Sequence, residues 1–335
     1  MASKRKRPRL HVGRGLLRLK TRRAAFAPLL TVHYSLFTAF MTYRGRFAPT
    51  PSGPLHFGSL VAALASWLEA RHAGGEWLIR VDDLDPPREV PGAADTILRQ
   101  LETFGLHWDG PVRYQSQRHF AYQEAVDALL DRGYAFHCRL TRKQLAALNH
   151  NHPGISASVP AAEDTAIRLQ VPDRALSYQD GIQGAITNNL HRDGGAFVIR
   201  RRDGLFGYQL ACALDDADDG ITHVLRGADL LDSTLRQRWL LECLDRPAPE
   251  YAHLPVVSDG RNLKLSKSTG SEALDPTRAS QLLTTALHCL GLQPPSDLQD
   301  ERPAVLLAWG TAHYPDHQWP AGRQQPLPDE LKVQR

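Results

Sequence analysis

The chain has 335 residues, of which 42% are hydrophobic, and its formal net charge is +4. This composition excludes collagen-like, repetitive and low-complexity proteins, and the length is enough for one large core or two smaller ones. The four cysteines are far apart without paired spacing. They indicate a reducing compartment, the cytoplasm, rather than a disulfide framework.

The positive charge is concentrated at the N-terminus. Residues 1–40 contain ten of the 40 Lys and Arg and no acidic residue, which leaves 30 basic against 36 acidic groups elsewhere. Any nucleic acid would therefore meet a local basic patch rather than a generally positive surface. The apolar run 24–40 is interrupted by Pro28 and His33, so we expect no membrane span. We interpret 1–40 as a disordered extension, with a targeting or tRNA-grasping segment as the alternative.

Residues 41–132 alternate strand and helix patterns, which is typical of a parallel sheet covered by helices. The predicted strands are 46–48 and 77–81. The predicted helices run through Arg71 and over 93–104 and 121–130.

The sequence from residue 133 onward indicates four further parts. Residues 133–200 are turn-rich, with candidate strands at 166–169 and 197–199, and indicate an inserted subdomain. Residues 201–249 resume the first pattern, so the sheet has two halves. The predicted elements of this second half are strands 210–214 and 221–225 and a helix through Leu235, Trp239 and Cys243. Residues 250–292 predict a small helical region, and 293–335 an irregular tail.

Two short motifs, about two hundred residues apart, indicate a nucleotide site. His56-Phe57-Gly58-Ser59 follows a strand and a tight turn and opens a helix, whose unpaired N–H groups and positive dipole suit phosphate. Lys264-Leu265-Ser266-Lys267-Ser268 places two ammonium groups where they could neutralise charge that develops during phosphoryl transfer. Each motif alone is common in proteins, but their order and contexts together favour a shared site.

The two motifs resemble the HIGH and KMSKS signatures of class I aminoacyl-tRNA synthetases. The glutamate-specific branch is similar at 46–53 (Arg-Phe-Ala-Pro-Thr-Pro-Ser-Gly), 81–85 (Val-Asp-Asp-Leu-Asp) and 224–229 (Val-Leu-Arg-Gly-Ala-Asp). Its short paralogues, the glutamyl-queuosine tRNA(Asp) synthetases, are similar at 55–60, 85–89, 105–110 and 201–208. The resemblance covers about 43–292. We expect the remaining residues to be too few for the anticodon-binding domain of full-length glutamyl-tRNA synthetases.

The resemblance implies a Rossmann-type catalytic core with an inserted subdomain and a helical stem-contact region. It implies an ATP-dependent ligase, here a monomer, that activates L-glutamate and transfers it to queuosine at the wobble position of tRNA(Asp). Mg²⁺ would accompany ATP. The implied catalytic residues are His56, Ser59, Lys264 and Lys267, and the implied ATP-binding residues are His56, Gly58, Ser59 and Lys267.

The resemblance also assigns a glutamate pocket. Arg46 and Arg226 match the arginines that hold the side-chain carboxylate, and Asp82 and Tyr208 match the residues that hold the α-amino group. Asp82 departs from the family, which usually has the longer Glu. The remaining implied pocket residues are Phe47, Ala48, Pro49 and Thr50.

The family's short members often carry zinc in the inserted subdomain, on Cys-x-Cys followed by Tyr and Cys. Here Cys138 is kept, but Leu140, His152 and Ser156 stand in the other positions. Because Leu cannot ligate zinc and a tetrahedral site needs four donors, we expect no zinc. Alternative donors nearby are His137, His150 and His152.

Two other functions stay open. The chain could charge the 3′ end of tRNA(Glu), or it could be a non-catalytic paralogue that binds tRNA or glutamate. The intact phosphate and lysine motifs argue against a mere binder. The anticodon-binding domain that we expect to be lacking, and the sequence Phe-Gly-Ser-Leu at 57–60, argue against the tRNA(Glu) enzyme. The sequence does not indicate which residues contact queuosine.

Overall fold

The computed structural model describes residues 42–258, 273–316, 319–320, 322–328 and 331. The predictions for the extension 1–40 and for the lysine motif 264–268 lie outside these residues. Among the described residues, no helix is long and apolar enough to cross a membrane.

The first half of the fold is a parallel sheet of three strands in the order β1-β2-β3. The strands are β1 (Arg44–Phe47), β2 (Glu76–Val81) and β3 (Arg113–Tyr114). The helices between and after them are α1 (Phe57–His72), α2 (Ala93–Thr103) and α3 (His119–Asp131). The predicted alternation of strands and helices in this part is confirmed, with ends that differ by a few residues.

The next segment contributes to two sheets. Strands β4 (Ala135–Cys138), β5 (Ala166–Leu169) and β8 (Phe197–Arg200) form an antiparallel sheet, and helix α4 (Arg142–Ala146) follows β4. The hairpin of β6 (Leu176–Asp180) and β7 (Gly184–Asn188) instead joins the second parallel sheet through β6. The boundaries 133–200 of an inserted subdomain therefore stay a prediction.

The second half is a sheet in the order β7-β6-β10-β9, in which β6, β10 (Glu250–Leu254) and β9 (His223–Gly227) are parallel. Its helices are α5 (Tyr208–Asp218) and α6 (Leu231–Cys243). The two parallel sheets adjoin, because the Thr222 N–H donates to the Arg44 carbonyl at 2.9 Å. The carboxyl ends of β1 and β9 consequently line one cleft.

Two predictions of local structure in this half are wrong. Residues 210–214 were expected as a strand but lie inside α5. All five of these side chains are buried, and a short, wholly apolar run cannot distinguish a strand from a buried helix. Residues 250–254 were expected in a helical region but form β10, which pairs with β9. Tertiary pairing decides that segment.

The C-terminal part is also more regular than expected. Helix α7 (Ala279–Cys289) is followed by α8 (Pro303–Ala312), and both pack against α1. The composition of 293–335 hid α8, although Pro303 occupies a first-turn position that proline favours. Strands β11 (Val256–Ser258) and β12 (Gln324–Pro326) form a small parallel pair.

The main core lies between the first sheet and these three helices. Leu60, Leu64 and Leu68 of α1 are completely buried, as the helical spacing predicts, and Trp77 of β2 is buried beside them. This packing fixes α1 relative to β1. The turn between the two elements is thereby held at the edge of the sheet.

Candidate active site

A cleft of about 590 Å³ lies at the carboxyl ends of β1 and β9. Its volume is in the range of small-molecule sites. Every predicted site residue that the structure describes lines it. These residues are Arg46, Phe47, Ala48, Pro49, Thr50, His56, Gly58, Ser59, Asp82, Tyr208 and Arg226. Lys264 and Lys267 lie outside the described residues.

One end of the cleft is the start of α1. His56 caps the helix by accepting a hydrogen bond at Nδ1 from the Ser59 backbone N–H at 3.3 Å. The Ser59 hydroxyl lies 3.1 Å from His56 Nε2. A Cβ atom on Gly58 would lie 3.3 Å from the imidazole ring, so glycine permits this close arrangement. The first turn of α1 has no acidic residue, which leaves its positive dipole end available to an anion.

The floor of the cleft is a buried row of alternating charges. The Arg46 guanidinium donates to both carboxylate oxygens of Asp216, at 3.2 and 3.4 Å. Arg80 donates to Asp216 at 2.5 Å and to Asp82 at 2.7 Å. The row thus runs Arg46, Asp216, Arg80, Asp82, and all four side chains are buried. It connects β1, β2 and α5 at the edge where the sheet ends.

The pKa values of the two acidic groups of the row shift in opposite directions. Burial alone would raise the pKa of Asp216, but the guanidinium groups of Arg46 and Arg80 lower it overall, so this carboxylate is ionised. Burial raises the pKa of Asp82, and its contact with Arg80 only partly offsets that effect. A substrate ammonium group beside Asp82 would favour its ionised form.

Arg226, at the end of β9, faces the cleft differently. Its Nη2 donates to the Thr234 hydroxyl at 2.8 Å, and its Nε donates to His253 Nε2 at 3.1 Å. Its Nη1 is buried and has no partner within the described part of the chain. The described residues also give Arg226 no ion pair with a carboxylate. A guanidinium with an open donor and uncompensated charge suits an anionic ligand group.

Tyr208, the first residue of α5, borders the cleft with 41% of its surface exposed. One turn further along α5, the Cys212 thiol donates to Asp82 at 3.4 Å. The phenol and the carboxylate therefore lie on the same side of the cleft.

Of the four positions at which the family's short members bind zinc, Cys138 and His152 contact each other. His152 accepts from the Gly154 backbone N–H at Nδ1, so its Nε2 carries the proton and faces Cys138 Sγ at 3.2 Å. Burial lowers the pKa of His152 to about 4. His137 instead contacts the Thr165 hydroxyl. No group of three or more His, Cys, Asp or Glu that could hold a metal occurs within the described ranges. Two donors do not fit the four that zinc needs.

The sequence interpretation missed Arg80, Asp216 and His253. Arg80 had a signal, since a charged residue within the apolar strand 77–81 needs a buried partner. Asp216 lies 136 residues away from Arg80, and no local pattern connects the two.

The chain resembles known proteins in sequence and in fold. The family described as tRNA synthetases class I (E and Q), catalytic domain, matches residues 42–281. The chain belongs to this family. It is 52% identical over 282 residues to the Glutamyl-Q tRNA(Asp) synthetase of Ectopseudomonas mendocina. The match covers 84% of this chain and 96% of that relative. It is 50% identical over 290 residues to the protein of the same name from Pseudomonas aeruginosa, covering 86% and 98%.

Solved structures agree with this family. The glutamate tRNA ligase from Elizabethkingia meningosepticum, in complex with its amino acid, is 26% identical with a TM-score of 0.67, over 80% of this chain. The chain spans 64% of that protein. The glutamate-tRNA synthetase from Elizabethkingia anophelis, 24% identical with a TM-score of 0.70 over 87% of this chain and 69% of its own, shows the same fold. The predicted α/β class I synthetase fold and the predicted ligase class are confirmed.

Proposed function

We propose that this ligase activates L-glutamate with ATP and transfers the glutamyl group to queuosine at the wobble position of tRNA(Asp). The relatives named Glutamyl-Q tRNA(Asp) synthetase support the acceptor, because they match this chain over nearly their whole length. The observation that carries the substrate is Arg226, a buried guanidinium with an open Nη1 and no carboxylate partner among the described residues.

The geometry supports one placement of glutamate. Its side-chain carboxylate lies against the guanidinium groups of Arg46 and Arg226, which come from the adjoining strands β1 and β9. Its ammonium group lies against the Asp82 carboxylate and the Tyr208 hydroxyl. Charge-assisted hydrogen bonds of this kind contribute about 1.5–3 kcal/mol each. The segment 47–50 forms the adjacent wall.

ATP lies with its phosphates at the start of α1, against His56, Gly58 and Ser59. The α-carboxylate of glutamate attacks the α-phosphate in line, the bond to the β-phosphate oxygen breaks, and pyrophosphate leaves. This reaction needs position and positive charge rather than a covalent nucleophile of the protein. Lys267, assisted by Lys264, supplies positive charge to the phosphates. Both lysines lie outside the described residues. Mg²⁺, bound mainly by phosphate oxygens and water, would neutralise part of the triphosphate charge.

The proposal also covers the oligomeric state, the location and the contacts with tRNA. The chain acts as a monomer in the cytoplasm, where tRNA is found. The modified base must leave its stack to reach the cleft, as bases generally do when proteins bind single-stranded RNA loops. Contacts to the phosphate backbone then hold the loop without reading sequence.

The test uses labelled glutamate, ATP and three tRNAs. We expect pyrophosphate exchange into ATP that depends on glutamate. We also expect stable label on tRNA(Asp) that contains queuosine, and none on tRNA(Asp) with guanosine at that position. Label on tRNA(Glu) would favour 3′-end charging instead. Absence of glutamate-dependent exchange would refute the proposed enzyme.

A further inference from the structure

Arg226 is the end of a fully buried relay that begins in the hairpin β6–β7. The Asp180 carboxylate accepts a hydrogen bond from His253 Nδ1 at 2.5 Å. His253 Nε2 in turn lies 3.1 Å from Arg226 Nε and 3.1 Å from the Thr234 hydroxyl. Asp180 and His253 are at most 1% exposed. Three neighbouring parallel strands, β6, β10 and β9, each contribute one member.

Asp180 fixes the tautomer of His253. Its Oδ1 accepts from the backbone N–H groups of Ile182, Gln183 and His253, at 2.9 to 3.1 Å. Its Oδ2 accepts from the Tyr178 hydroxyl at 3.5 Å and contacts Nδ1 at 2.5 Å. Because an ionised carboxylate can only accept, Nδ1 must carry the imidazole proton. Burial, together with the Arg226 charge, lowers the pKa of His253 by more than the hydrogen-bonded Asp180 carboxylate raises it, so the ring is neutral. A neutral ring protonated at Nδ1 presents a lone pair at Nε2.

That lone pair accepts from Arg226 Nε, and the Thr234 hydroxyl accepts from Nη2. Nη2 also donates to the Leu230 carbonyl at 3.4 Å. All three partners are uncharged, so they orient the guanidinium without neutralising it. Arg46 and Arg80 differ, because they share the Asp216 carboxylate. Among the described residues, Arg226 Nη1 has no hydrogen-bond partner and no carboxylate pairs with the guanidinium, so its positive charge faces the cleft.

We infer that Asp180 and His253 are positioning residues that hold Arg226 for the side-chain carboxylate of the substrate and thereby favour glutamate over glutamine. This inference rests on the proposed function, in which Arg226 binds that carboxylate. An undiminished guanidinium charge favours a carboxylate over a neutral amide of the same shape. The neutral histidine separates the Asp180 carboxylate from Arg226 and so preserves the preference for glutamate over glutamine.

Three variants test the inference by glutamate-dependent pyrophosphate exchange. Asp180→Asn can turn its amide N–H toward Nδ1, which moves the imidazole proton to Nε2. The N–H at Nε2 then faces the N–H of Arg226 Nε, and no hydrogen bond forms between two donors. We expect its KM for glutamate to rise at least about tenfold, with the KM for ATP within about twofold of wild type. His253→Leu removes the acceptor and should behave in the same way. His253→Gln places an acceptor near the position of Nε2 and should recover most of the loss.

The control is Asp219→Asn, which removes a largely buried partner of Arg113 outside the cleft. It should lower the melting temperature without changing the KM for glutamate.

The outcomes separate the two claims. A wild-type KM for glutamate in Asp180→Asn, or equal losses in the Gln and Leu variants of His253, overturns the relay while leaving the proposed function intact. A wild-type enzyme without glutamate-dependent exchange overturns the proposed function itself. If Asp180→Asn does not fold, the His253 pair decides the question.

Discussion

Asp216 is the residue whose replacement most directly probes the buried charges beneath the cleft. Asp216→Asn keeps the size of the side chain but removes the negative charge that Arg46 and Arg80 share. Both guanidinium groups are at most 5% exposed, so little water reaches them to replace the lost partner. We therefore expect the folded state to lose stability while the fold itself is kept.

The magnitude follows from burial. Removing one partner of a buried pair leaves an uncompensated charge and costs about 3–5 kcal/mol. At about 2–4 °C per kcal/mol, the melting temperature should fall by roughly 6–20 °C. The matched control is Asp164→Asn, which breaks a contact of 2.8 Å to Arg139 on the exposed surface. Its effect should be small, because water screens exposed pairs.

The pH dependence carries a definite sign. The pKa of Asp216 is lower in the folded state than its ordinary value, which in unfolded chains is about 3.9. Its stabilisation is therefore fully present above that value and is lost as pH falls through the lower, folded pKa. We expect the difference in unfolding free energy between wild type and Asp216→Asn to be constant above about pH 5. It should narrow below about pH 4.

Urea denaturation at a series of pH values measures this difference. A loss below about 1 kcal/mol at pH 7 would refute the reasoning, because a surface pair could produce it. An equally large loss in Asp164→Asn would refute it too, since burial would then not decide the magnitude.

Three further predictions concern function. Arg226→Ala should raise the KM for glutamate by about 10- to 100-fold in pyrophosphate exchange and leave the KM for ATP nearly unchanged. A wild-type enzyme that activates glutamine as efficiently as glutamate would contradict the assignment. Lys267→Ala should lower the exchange rate by ~10² or more with glutamate binding kept, and an unchanged rate would exclude this lysine from the mechanism. A chain beginning at Met41 should keep full activity, whereas a raised KM for tRNA with a shallower salt dependence would show that 1–40 bind phosphate.

Local patterns predicted the part of the fold that positions the cleft. The spacing of Leu60, Leu64 and Leu68 predicts helix α1, and the preceding strand and turn place its start at the sheet edge. The residues that the family resemblance implied therefore line one cleft wherever the structure describes them.

Pairings between distant segments could not be predicted in this way. The side chains of Asp180 and His253 lie 73 residues apart in the chain, and only the pairing of β6 with β10 brings them together. The run 210–214 is apolar throughout, which fits a buried strand and a buried helix equally well. Packing against neighbouring elements decides for the helix. Tertiary packing decides such cases.

The acceptor is the central claim, and trimming tRNA ends tests it most directly. Labelled glutamate is offered with tRNA(Asp) that contains queuosine, either intact or without its terminal CCA, and with intact and trimmed tRNA(Glu). We predict that both forms of tRNA(Asp) accept glutamate equally, because the nucleophile is a hydroxyl group of the queuosine ring. Transfer to intact tRNA(Glu) that is lost on trimming would contradict the account.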